Sequence, residues 1–244
     1  TLNEWTEWQM KNLNAIVWLY RGEIEKYQEL VMAYRTQIVN DCIDLDSEFE
    51  NISGMLNGYG EPLNGLRKQI ADIIKQADDI NKLVPLNEVL KHYTVELNAA
   101  FKAFISYGDS LEKSKAKELA KSIDDTATTW DRFKKILSTR VEEVVAQIKA
   151  CRSVIKEAKW LTEKFGEGTY ADVLGLCKIA TIAEIDEKNW SLTPGAYVGV
   201  APVKEDDDNF EERMIEIHQG LLTLQEEANR LMDTISANFE GLGI

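Results

Sequence analysis

Apolar residues along most of the chain recur at steps of three and four, the period of one helix face. From residue 6 to 53 they fall at Leu13, Ile16, Tyr20, Ile24, Tyr27, Val31, Tyr34, Ile38, Cys42, Leu45, Phe49 and Ile52. This predicts one long helix, locally weakened or kinked at Gly22. At about 1.5 Å per residue it would run for about 72 Å. SGMLNGYGEPLNG, residues 53–65, is dense in glycine and reads as a loop. The stripe resumes at Leu66, Ile70, Ile73, Ala77, Ile80 and Val84, meets the helix breaker Pro85, and continues through Leu86, Leu90, Tyr93, Leu97, Ala100 and Phe104. SYGDS, residues 106–110, reads as the next turn. A third helix is predicted to follow, with Leu111, Leu119, Ile123, Trp130, Phe133, Leu137, Val141, Val144, Ile148, Cys151, Ile155, Ala158 and Phe165 on its stripe. Three comparable stretches joined by turns predict an antiparallel three-helix arm over residues 1–165.

Residues 166–203 break the pattern and read as an irregular connector. Thr181 and Glu184 have capping-box spacing, predicting a short helix from Ile182 to Glu187. In WSLTPGAYVGV, residues 190–200, Pro194 and Gly195 suit the central positions of a type II turn, and Ala196–Val200 looks extended. Trp190 and Tyr197, with that turn, are the expected anchors of the connector, Trp190 pinning it to the arm. After the acidic run KEDDDN at 204–209, a heptad seam begins. Phe210, Met214, Ile217, Leu221, Leu224, Ala228, Leu231 and Ile235 alternate steps of four and three. A lone helix of this length is marginal in water, so the segment 204–244 is expected to pack on something, either the arm of this chain or another subunit. The whole is therefore a mainly α fold: a helical arm, an irregular, β-like segment and a C-terminal heptad helix.

Charge narrows the choice of partner. The net charge is −14, which argues against the chain wrapping nucleic acid by itself. Residues 201–244 hold eleven Asp or Glu against three Lys or Arg, a net −8. No apolar run is long enough for a membrane span. Cys42, Cys151 and Cys177 are widely spaced without a CxxC, which fits reduced thiols in a cytoplasmic protein rather than a disulfide framework or a zinc site. The chain begins with Thr1, as a fragment or processed product would.

Candidate chemistry is sparse. Gly58, Gly60 and Gly65 lack phosphate-loop spacing. His92 and His218 stand alone on predicted helices, and Asp206, Asp207 and Asp208 lack the alternation of a calcium loop. Trp5, Trp8, Trp18, Trp130 and Trp160 read as core or seam residues. No catalytic, cofactor or metal residue is predicted, so the chain itself is not expected to be an enzyme.

YADVLGLCKIATIAEIDEKNWSLTPGAYVGV, residues 170–200, followed by an acidic linker, NFEERM and the ending NFEGLGI, resembles the carboxyl end of the modification (M) subunit of type I restriction-modification systems. NLNAIVWLYRGE, residues 12–23, resembles the segment after that family's catalytic domain. The middle, roughly 30–165, is similar only in helical character. The family consists of adenine-N6 DNA methyltransferases that use S-adenosylmethionine. Its Asn-Pro-Pro-aromatic and glycine-rich motifs have no counterpart here, since no two of the four prolines are adjacent. The resemblance thus implies the C-terminal region of such a subunit without its catalytic domain, S-adenosylmethionine belonging to the parent. It implies docking of the seam helix on the specificity (S) subunit, in an assembly with the restriction subunit and DNA. Ala196 stands where the family usually has Arg, so that side chain's contact is missing. The alternative from the residues alone is a free-standing coiled-coil protein that self-associates.

Overall fold

The computed structural model describes residues 4–201 and a set of helical positions between 214 and 235. The chain divides into two compact units. One comprises residues 1–173 with 177–181, the other 174–176 with 182–244.

The first unit starts with α1 (Glu7–Tyr20). Its entry is a capping box: Thr6 Oγ1 accepts from the Gln9 backbone N–H at 3.2 Å, and Gln9 Oε1 accepts from the Thr6 N–H at 3.0 Å. α2 (Ile24–Met55) follows after three residues. The predicted single helix is therefore two, and the break is a reversal rather than a kink. Trp8 stacks on Tyr34 with ring centroids 4.3 Å apart. A straight helix would hold these residues about 39 Å apart. Gly22 makes the reversal feasible, because its φ of 76° is left-handed and costs glycine little.

The predicted second helix is also folded on itself. α3 (Leu63–Gln76) runs back along α2, with Arg67 on Asp46 and Arg35 Nη2 donating to the Ala77 carbonyl at 3.0 Å. A 3-10 turn (Asn81–Leu83) and Pro85 then start α4 (Leu86–Ser110). SYGDS is the last turn of α4, not a loop. The predicted third helix is likewise two, α5 (Lys113–Ile123) and α6 (Trp130–Phe165), separated by a polar run that ends in the N-cap Thr129, whose Oγ1 accepts from the Arg132 N–H at 3.2 Å.

The three-helix arm is thus replaced by a four-helix, up-down-up-down bundle of α2, α3, α4 and α6. Each of α2 and α4 packs against both α3 and α6. α6 is antiparallel to α2, where Tyr27 meets Gly166 and Cys42 meets Cys151, and to α4, where Asn87 meets Arg152 and Phe104 meets Phe133. α1 adds to one end on α2 and α6, and α5 lies on α4 and α6.

The stripes read from the sequence supply the core: Tyr27 to Ile52 on α2, Leu86 to Phe104 on α4 and Phe133 to Phe165 on α6 are buried at nearly every predicted position. Burying each large apolar side chain contributes about 1.5–3 kcal/mol. Cys42 and Cys151 are free thiols within this core, their sulfurs 3.9 Å apart. The hydrogen bond shared with Cys42 and burial push the Cys151 thiol upward, so it stays protonated.

Tyr93 carries the one buried side-chain polar atom without a partner among the described residues, its hydroxyl, while its ring stacks on Phe49 at 3.8 Å. Tyr93→Phe keeps the stack and removes the uncompensated hydroxyl. It is expected to raise stability by about 1 kcal/mol in urea denaturation. A lower midpoint in the variant would mean that the hydroxyl does bond in solution.

Candidate interaction surface

The second unit has its own local order. α7 (Ile182–Glu187) has the bounds that the capping-box spacing predicted. Asn189 and Trp190 follow with φ of 51° and 59°, left-handed values that a bulky side chain rarely takes. They turn the chain back on α7. The Trp190 indole N–H donates to Asp186 Oδ1 at 2.9 Å, and the Trp190 backbone N–H to the Ile185 carbonyl at 2.9 Å.

Pro194 and Gly195 do not form a type II turn. Pro194 has φ −55° and ψ −41° and serves as N-cap to α8 (Gly195–Val198), a single helical turn where an extended segment was expected. The carbonyls of Thr193 and Pro194 accept from the N–H groups of Ala196, Tyr197 and Val198, so the free backbone groups are satisfied helically. Lys188 ties the two helices together. Its ammonium donates to the Ala196 carbonyl and lies over the Tyr197 ring at 4.8 Å, while the Tyr197 hydroxyl donates to the Ser191 carbonyl. The backbone of Ala196 thus has a use that its methyl does not. Gly175 closes the unit: its N–H reaches the Val198 carbonyl at 2.7 Å, its φ is 76°, and a Cβ there would lie 2.6 Å from Ala201 Cβ.

Tyr197 is the half-buried centre of this fold. Trp190 is 65% exposed and is held by Asp186 of its own unit. Leu192, Leu174, Ile182 and Val200 are also largely exposed. Trp5 departs from expectation too, lying ahead of α1 and exposed.

Among the seam residues, Phe210 lies outside the described residues. Met214, Ile217, Leu221, Leu224, Ala228, Leu231 and Ile235 are all helical. All are exposed, the six large ones by 47–64%. The 4-3 spacing places them in one row. Met232, unforeseen by the seam, is exposed by 63% and sits beside Leu231. A row of this length is a candidate interaction surface, because large apolar side chains in water are unfavourable until covered.

Elsewhere the titratable groups serve the fold. Burial pushes Tyr27 up to about 12, and Tyr34 rises through burial and the Glu157 charge. Arg67, beside Asp46, holds that carboxyl below its usual range chiefly by hydrogen bonding. His92 and His218 are helical and exposed, as expected. No group of three His, Cys, Asp or Glu is placed to hold a metal ion among the described residues. Among the same residues, no helix is long and apolar enough to cross a membrane.

The geometry thus defines a class of protein: a mainly α helical bundle followed by a small unit that presents an exposed heptad row. Comparison with known proteins finds similarity to methylase subunits of type I restriction enzymes. The MjaIX methylase subunit of the type I restriction enzyme from Methanocaldococcus jannaschii is 32% identical over 117 residues, which cover 45% of this chain and 21% of that protein. The HindI methylase subunit from Haemophilus influenzae is 36% identical over 74 residues, 30% of this chain and 17% of that protein. These two relatives match the resemblance read from the sequence, and the chain spans about a fifth of the length of each. No family model and no solved structure matches the chain.

Proposed function

We propose that this chain is the non-catalytic, C-terminal assembly region of a type I M subunit, and that its seam helix docks on the specificity subunit. The observation that carries this reading is the exposed row from Met214 to Ile235, which needs an apolar partner face. The parent subunit would methylate adenine N6 in DNA with S-adenosylmethionine held in its catalytic domain. The assembled complex would further include the restriction subunit and DNA, as part of host defence. The bundle and the α7–α8 unit would serve as scaffold, with Trp190, Pro194, Gly195 and Tyr197 shaping the approach to the helix.

Co-purification with the cognate specificity subunit tests the reading. The 244-residue chain is expected to be retained, and a chain lacking residues 205–244 to be lost. Leu221→Asp with Leu224→Asp should weaken binding by about 30-fold or more, as the loss of a central apolar anchor does. Retention of the truncated chain would sink the docking claim. A chain that ignores the specificity subunit but dimerises with concentration in sedimentation would be a self-associating coiled-coil protein instead.

A further inference from the structure

The charge of the chain is unevenly placed. Residues 111–140 hold eight Lys or Arg against five Asp or Glu, a net +3 within a chain of net −14. They form α5, the following loop and the first turns of α6, at the end of the bundle remote from Phe165. Arg132 and Phe165 are separated by about 50 Å along α6.

Two features of this tip work against helix stability. Lys113, Lys117 and Lys121 follow one another at i, i+4 on α5, a like-charge spacing that is unfavourable. The first turn of α5 carries two lysines, opposite to what the helix dipole favours, although its N-cap is the acid Glu112. These three lysines and Lys135 are exposed and make no ion pair among the described residues. Most of the acids nearby are engaged. Glu112 faces Lys115 at 3.7 Å, Asp131 faces Lys134 at 3.2 Å, and Glu143 faces Arg140 at 3.0 Å. Asp124 accepts from the N–H and hydroxyl of Thr126 and is also within reach of the Arg132 charge. On α6, Arg132, Lys135, Thr139 and Arg140 share a shallow groove with Ile136 and Glu143.

We infer that this tip binds the phosphate backbone of duplex DNA, without reading sequence, through Lys113, Lys117, Lys121, Arg132 and Lys135. The inference rests on the proposed reading only in that the parent assembly works on DNA. A spread of unpaired cations on two adjoining helices matches a polyanion rather than a single carboxylate. Duplex DNA offers such an array, about one charge per 1.7 Å of its axis.

The test is fluorescence anisotropy of the 244-residue chain with a duplex of roughly 30 bp and arbitrary sequence, across a salt series. The wild type is expected to bind at low salt and to release as salt rises. Changing all five residues to Gln should reduce low-salt affinity at least tenfold and lower the slope of log affinity against log salt by about 4. The α5 triple (Lys113→Gln, Lys117→Gln, Lys121→Gln) and the α6 pair (Arg132→Gln, Lys135→Gln) should each lose part of this, so misfolding of one variant does not decide the matter. No binding by the wild type, or binding by both partial variants as tight as the wild type's, overturns the inference. So does a loss of self-association in sedimentation with DNA affinity unchanged, since the cations would then serve an acidic segment of a second copy. Retention by the specificity subunit is read separately and should survive these substitutions.

Discussion

Gly108→Ala is expected to destabilise the bundle by about 2 kcal/mol, although the same change inside a helix ordinarily stabilises. Gly108 lies in the last turns of α4 and is buried. A Cβ there would lie 1.9 Å from Trp130 Cζ2 and 2.2 Å from its Cη2. The indole cannot swing away cheaply. Its N–H donates to Asp109 Oδ1 at 2.7 Å, it stacks on Phe133 with centroids 5.4 Å apart, and it meets the edge of Phe104. Helix propensity favours alanine by about 1 kcal/mol, and displacing a packed aromatic costs more than that. Gly65→Ala is the control. Gly65 sits in α3 with nothing within 4 Å of the added carbon, so a gain of about 0.5–1 kcal/mol is expected there. Urea denaturation of both variants checks the pair. A Gly108→Ala protein as stable as the wild type would show that the α4–α6 contact yields to a methyl group at little cost.

The apolar stripes were legible because the 3.6-residue period survives wherever a helix buries one face. That is why Tyr27, Phe49, Phe104 and Phe133 were readable as core. The reversals were not, because a stripe can keep its phase across a three-residue turn. Tyr20 and Ile24 continue the predicted stripe, yet they flank the turn at Gly22 and are exposed. Only a contact across the turn, such as Trp8 on Tyr34, reveals it. The break before α6 had a signal in the cap Thr129, preceded by a polar run from Asp124. Pro194-Gly195 was ambiguous for a different reason. A type II turn and a helical turn ask the same φ of proline and differ in ψ, which the sequence does not set. The seam was readable as a spacing, whereas its exposure depends on which surfaces the rest of the chain leaves uncovered.

Tyr34→Ala is expected to cost about 3–5 kcal/mol, in the range of large aromatic truncations in cores, and to release α1 from the bundle. Tyr34 is fully buried on α2 and holds the reversed helix twice. Its ring stacks on Trp8, and its hydroxyl donates to Asn12 Oδ1 at 2.9 Å. Asn12 is itself buried and passes the link to α6, its amide donating to the Glu157 carbonyl and to Glu157 Oε2, both at 3.1 Å. Removing the ring leaves a cavity, and it leaves Asn12 with an acceptor unpaired in a buried place. Tyr34→Phe keeps the ring and loses only the hydroxyl bond, for an expected cost of about 1–2 kcal/mol. The difference between the two variants measures the stack and the packing. Because Arg21 and Gly22 form the hinge, release of α1 should appear as faster tryptic cleavage at Arg21 in Tyr34→Ala, with little change in Tyr34→Phe. Equal cleavage rates in all three proteins, or a cost below about 1 kcal/mol for Tyr34→Ala, would mean that α1 is held by contacts other than this clasp.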